Sequence, residues 1–212
     1  GSKNLLLDVT PLSLGIETMG GLMEKIIPRN SPIPAIREQI FTTNENGQTS
    51  IKIKILQGER EVTSANNTLD EFVLSGLEPK PAGIPRIKVR FSLDVDGILF
   101  VSAIDESSGN ENNLVIKTNE QLSIQEMREL VSSSIQNAKK DIDLRLLIET
   151  KIKATKLINE INNVRPMMNE LCTPKESEEI NKIIKLMKIE LKSDNKDRIS
   201  DLVDDLNNKT KS

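Results

Sequence analysis

The chain has no histidine, no tryptophan and no tyrosine, and a single cysteine, Cys172. Without histidine it lacks the commonest general base and a frequent metal ligand, which excludes most hydrolytic and zinc-centred designs. One cysteine closes no internal disulfide. With no imidazole to activate it, Cys172 reads as an inert thiol suited to a reducing, cytoplasmic setting. No apolar run approaches the roughly 20 residues that cross a bilayer, so no membrane partner is expected. The opening Gly1-Ser2-Lys3 does not read as a secretory leader. Net charge is −3 and no basic cluster joins with aromatics, which argues against nucleic acid. Gly15, Gly20 and Gly21 lack the spacing of a phosphate loop. We therefore assign no catalytic residue and no metal ligand, and expect no enzymatic activity and no cofactor in this chain.

What the chain does have is two periods. Up to about residue 118, apolar residues alternate with polar ones. Ile51, Ile53 and Ile55 are separated by Lys52 and Lys54; Ile87, Val89, Phe91 and Leu93 by Lys88, Arg90 and Ser92. Period two means strands with one dry and one wet face. Asn46-Gly47 and Asp96-Gly97 read as hairpin turns, and Ser107 to Asn110 as another turn. The acids Asp94 and Asp96 then serve the turn, not metal binding or acid–base work. About eight short strands between residues 11 and 118 predict an antiparallel sandwich.

Beyond residue 120 the period becomes helical. Ser123 to Glu126 is a capping box, and a long helix follows toward Pro166. Thr173-Pro174-Lys175-Glu176 starts a second helix, with Ile180, Ile183, Ile184, Met187 and Leu191 on one face. A last helix starts near Ser193 or Asp194 and carries Ile199, Leu202, Val203 and Leu206. The expected fold class is α+β by segregation: a sandwich over residues 10–118, then a helical bundle over 119–212, with 1–9 as a linker.

Three stretches carry a family resemblance: Leu5 to Gly21 (LLLDVTPLSLGIETMGG), Leu56 to Glu59 (LQGE) and Val95 to Ser102 (VDGILFVS). With them the chain resembles, over nearly its whole length, the substrate-binding half of the seventy-kilodalton heat-shock chaperones, the DnaK and HscA family. That resemblance implies a clamp for extended client peptides, closed by a helical lid. By position, Ile16, Thr18, Phe41, Ile51, Ile53 and Ile87 would line its pocket and channel. Thr42 and Gln48 would contact client backbone, and Met19 and Asn44 would form the two sides of an arch. Leu5, Leu6, Leu7 and Asp8 would be the tether to a nucleotide-binding domain. The alternative for those residues, a first strand of the sandwich, is disfavoured by Thr10-Pro11, because proline lacks a ladder donor. ATP and magnesium would belong to that other domain, and a J-domain co-chaperone would be a partner of the full-length protein.

The chain makes three departures from the family pattern, one of them at a pair of positions. Asn44 replaces a small apolar or aromatic arch residue. Ala82 stands where an arginine would latch to a lid aspartate, here Asp141, so that latch is missing unless Lys80 substitutes. Asn46 and Asn159 fall at a second latch where a charged pair is expected. A weak electrostatic latch follows. These departures, with Gly21 to Asn30 and Pro81-Ala82-Gly83, resemble the HscA branch, whose client is a proline-containing segment of the iron–sulfur scaffold protein. The alternatives are a general DnaK-type folding chaperone and an adaptor module that binds partners through its helical stripe.

Overall fold

The computed structural model describes residues 8–211. Eight strands precede four helices. The strands are β1 (Leu14–Thr18), β2 (Leu22–Ile27), β3 (Ala35–Phe41), β4 (Ser50–Gln57), β5 (Asn67–Ser75), β6 (Ile87–Leu93), β7 (Ile98–Asp105) and β8 (Glu111–Lys117). They form two antiparallel four-stranded sheets, in the orders β2-β1-β4-β5 and β3-β6-β7-β8. Ile53 and Ile55 of β4, Val89 and Phe91 of β6, and Leu99 and Val101 of β7 all enter one buried cluster. The alternating residues thus supply the facing inner surfaces of two sheets. Val9 bridges Pro32, and Thr10 donates to the Ser31 carbonyl at 2.9 Å, before β1 begins.

Asp96-Gly97 does join the paired strands β6 and β7, with the Asp94 carboxylate accepting from the Asp96 and Ile98 amides. Asn46-Gly47 closes no hairpin. The strands on either side of it, β3 and β4, belong to different sheets. Its connection instead leans on another loop: Gly47 donates to the Lys80 carbonyl, Gly83 to the Thr43 carbonyl, and the Asn46 side chain accepts from the Ala82 amide. Asn-Gly marks a reversal of direction, but which strand receives the chain is decided by core packing.

The helices are α1 (Ile124–Gln136), α2 (Ala138–Leu171), α3 (Pro174–Glu190) and α4 (Lys196–Thr210). Both predicted capping boxes form, at Ser123/Glu126 and Thr173/Glu176, each satisfying two amides that the first turn leaves without partners. Asn195, one residue beyond the expected start, caps α4 by accepting from the Arg198 amide. The long helix differs from expectation twice. It breaks at Asn137 (φ −106°, ψ 11°), and it continues through Pro166 to Leu171. A proline in a helix interior removes one hydrogen bond. Here Ile161 is buried in the bundle core before it, and Met168 packs on the same core after it.

The chain divides into two compact units, residues 1–141 and 142–212. The first therefore includes α1 and the first turn of α2, so this division falls well after the change of period near residue 118. The second holds a core of Ala154, Ile158 and Ile161 from α2, Ile180, Ile184 and Met187 from α3, and Ile199, Leu202, Val203 and Leu206 from α4. The side chain of Cys172 is partly buried there.

Candidate functional site

The pocket residues expected from sequence fall into two groups. Ile16, Ile53 and Ile87 are fully buried, with 3%, 1% and 0% exposure. Phe41 and Ile51 pack against the same cluster but stay partly exposed. The register places Phe41 beside Ile87 and Ile51 beside Leu74. Thr18 and Met19, at the end of β1, are also partly exposed. The structure thus brings Ile16, Phe41, Ile51, Ile53 and Ile87 into one apolar cluster, two of whose inward-facing members still reach solvent.

The polar residues behave differently. Thr42 and Asn44 are exposed. Gln48 Oε1 accepts from the Asn44 and Glu45 amides at 3.0 and 3.3 Å, and Nε2 donates to the Ser50 carbonyl at 2.8 Å. Gln48, expected to contact client backbone, braces its own loop. Asp8 is exposed, and its carbonyl accepts from the Ile33 amide. Leu5, Leu6 and Leu7 of the expected tether lie outside the described residues.

Ala82 gives Asp141 no latch partner, as its side chain dictates, and Lys80 does not substitute: it pairs with Glu78 at 3.3 Å. Asp141 holds Arg60, from the connection between β4 and β5. Arg60 Nε donates to Asp141 Oδ2 at 2.6 Å and Nη2 to Oδ1 at 2.9 Å, a bidentate fork. Arg60 Nη1 also donates to Ser133 Oγ of α1 at 2.9 Å, and the Glu61 amide reaches Asp141 Oδ2 at 3.4 Å. The side chains are 17% and 7% exposed, so water screens this pair little. The Arg60 hydrogen bonds hold the Asp141 carboxyl below the usual carboxylate range, against the opposing effect of burial. The LQGE stretch ends one residue short of Arg60, whose partner lies 81 positions away and so carries no local signal.

Among the described residues, no cluster of acidic or cysteine side chains could hold a metal ion, and no helix is long and apolar enough to cross a membrane.

Comparison with known proteins gives the relationship. A family model described as Hsp70 protein matches residues 2–212. The chain is 42% identical over 198 residues to the chaperone protein DnaK of Mesomycoplasma hyopneumoniae strain 232, covering 93% of this chain and 33% of that protein. It is 45% identical over 184 residues to a chaperone protein HscA homolog of Tolumonas auensis, covering 86% and 30%. It is 43% identical over 183 residues to the chaperone protein HscA of Proteus mirabilis, also covering 86% and 30%. The chain spans about a third of the length of these curated relatives. The match over nearly every residue, at this identity, makes the chain a member of the Hsp70 family.

Proposed function

We propose that the strand-rich unit grips an extended, apolar segment of a client protein, as the substrate-binding part of a chaperone. The carrying observation is the partial exposure of Phe41 and Ile51, which face inward yet stay open to solvent while Ile16, Ile53 and Ile87 behind them are sealed. β-Branched walls are stiff at χ1 and favour a preformed pocket. Met19, just past the end of β1, is adaptable to clients of varied shape. Burying one leucine-sized client side chain contributes about 1.5–3 kcal/mol. Several backbone hydrogen bonds add about 0.5–1.5 kcal/mol each, and ordering the client offsets part of this. The balance is micromolar binding, a grip that can be released.

On this reading the helical unit acts as a lid that governs release rates. ATP hydrolysis, with its magnesium and its J-domain partner, belongs to the part of the relatives that this chain does not span. The protein works in the cytoplasm. The wording of residues 21–30 and 81–83 favours a client from iron–sulfur assembly. The similarity to a protein named DnaK, over 93% of the chain, favours general folding as the second reading.

Fluorescence anisotropy with short labelled peptides tests both. An apolar peptide should bind with micromolar affinity, and Ile51→Phe should weaken it at least tenfold, about 1.4 kcal/mol, with the thermal midpoint unchanged. Equal affinity for the two folded proteins would remove the site assignment. A Leu-Pro-Pro peptide preferred over proline-free ones supports the iron–sulfur client; no preference supports the general role.

A further inference from the structure

We propose that the connection between β4 and β5, Gly58 to Asn66, is a rigid strap that couples the start of β1 to the start of α2. Two adjacent residues of the strap hold the two ends. Glu59 accepts from Ser13 twice, from its amide at 2.8 Å and its hydroxyl at 2.6 Å. Ser13 Oγ in turn accepts from the Arg29 amide at 2.8 Å, and Lys25 sits 3.7 Å from Glu59. Ser13 is fully buried, immediately before β1 and two residues beyond Pro11, where the N-terminal segment joins the sheet. Arg60, the next residue, holds Asp141 and Ser133 at the junction of α1 and α2.

The strap is closed on itself by one side chain. Asn66 Oδ1 accepts from the Arg60 amide at 2.9 Å, while Nδ2 donates to the Arg60 and Val62 carbonyls at 2.7 and 3.1 Å. Gly58 adopts φ +145°, and a Cβ there would lie 2.2 Å from Asn66 Oδ1. The ring therefore requires glycine at its entry. The Gly58 amide also donates to the Ser13 carbonyl at 3.0 Å. With its backbone pinned this way, the strap has little freedom to absorb a displacement locally. Moving Asp141 moves Arg60, and Glu59 is one peptide unit away. The coupling joins two contacts to one stiff element, which is the physical requirement for transmission. It holds whatever the sandwich binds.

Amide hydrogen exchange on the whole chain, without ligand, provides the test. Asp141→Asn should speed exchange at least tenfold at the Ser13 and Arg29 amides, as well as at Arg60, with Val101 in the far sheet unchanged. A change confined to Arg60, α1 and α2 would overturn the proposal. If Val101 also exchanges faster, the cycle of Ser13→Ala, Asp141→Asn and the double variant decides. A double-variant factor at Val101 clearly below the product of the single factors supports the strap, and a factor equal to the product overturns it.

Discussion

Gly15→Ala is expected to cost about 3 kcal/mol or more, the upper end of overpacking penalties, and to lower the urea midpoint accordingly. A Cβ at Gly15 would lie 2.0 Å from the carbonyl oxygen of Glu24, 2.9 Å from its carbonyl carbon and 3.0 Å from the Lys25 Cα. All three are backbone atoms of the paired strand, so no flexible side chain can yield. The register explains the crowding. Leu14 faces Ile27 but Gly15 faces Lys25, so Ile26 is the extra residue of a bulge that presses β2 onto β1. Strand β1 is interior to its sheet, between β2 and β4, and the next residue, Ile16, is buried in the core. To admit a methyl group, β1 must part from β2. Gly83→Ala is the contrast: it has positive φ but nothing within 4 Å, and should lose only about 1 kcal/mol of left-handed backbone preference. Urea unfolding of both variants checks this. Near-wild-type stability for Gly15→Ala would contradict the close approach of the two strands.

Asp141→Ala is the second large effect, expected at about 3 kcal/mol near neutral pH. Breaking a buried pair by removing one member typically costs about 3–5 kcal/mol, because the other charge stays buried without compensation. The 17% exposure of the Arg60 side chain lets water reach the abandoned guanidinium and places the cost at the lower end. The pH dependence has a definite sign. Folding lowers the Asp141 pKa, chiefly through the Arg60 hydrogen bonds. Such a group stabilises fully above its unfolded value, about 3.9, and loses that contribution as pH falls through the folded value. The difference between wild type and Asp141→Ala should therefore be constant from pH 7 to about pH 5 and shrink toward zero on acidification below about pH 4. Urea titrations at several pH values measure it. A difference that persists undiminished at the lowest pH at which both still fold would mean that the aspartate acts through packing, not charge.

Much of the local structure was legible in the residues. The alternation from Ile87 to Leu93 is strand β6, and the alternation around Ile53 is β4. Ser123/Glu126 and Thr173/Glu176 begin helices because a capping box is a short-range arrangement, complete within four residues. The apolar stripe from Ile180 to Met187 faces a core because a period of 3.6 places those residues on one side. The errors arose where a local signal competed with distant packing. Asn46-Gly47 has hairpin chemistry but joins two sheets. Pro166 has stop chemistry but lies inside α2, with Met168 beyond it on the bundle core.

The sequence by itself determined where strands give way to helices, where the capping boxes start α1 and α3, which faces are apolar, and, through its motifs, the family. These are short-range properties, set by side-chain period and capping within a few residues. The tertiary structure alone decided that Ile16, Ile53 and Ile87 are sealed while Phe41 and Ile51 are not, that Asp141 belongs to Arg60, and that Gly15 cannot be anything larger. Each of these depends on an atom contributed by a distant part of the chain or across a strand pair. Such meetings are fixed only when the whole core closes.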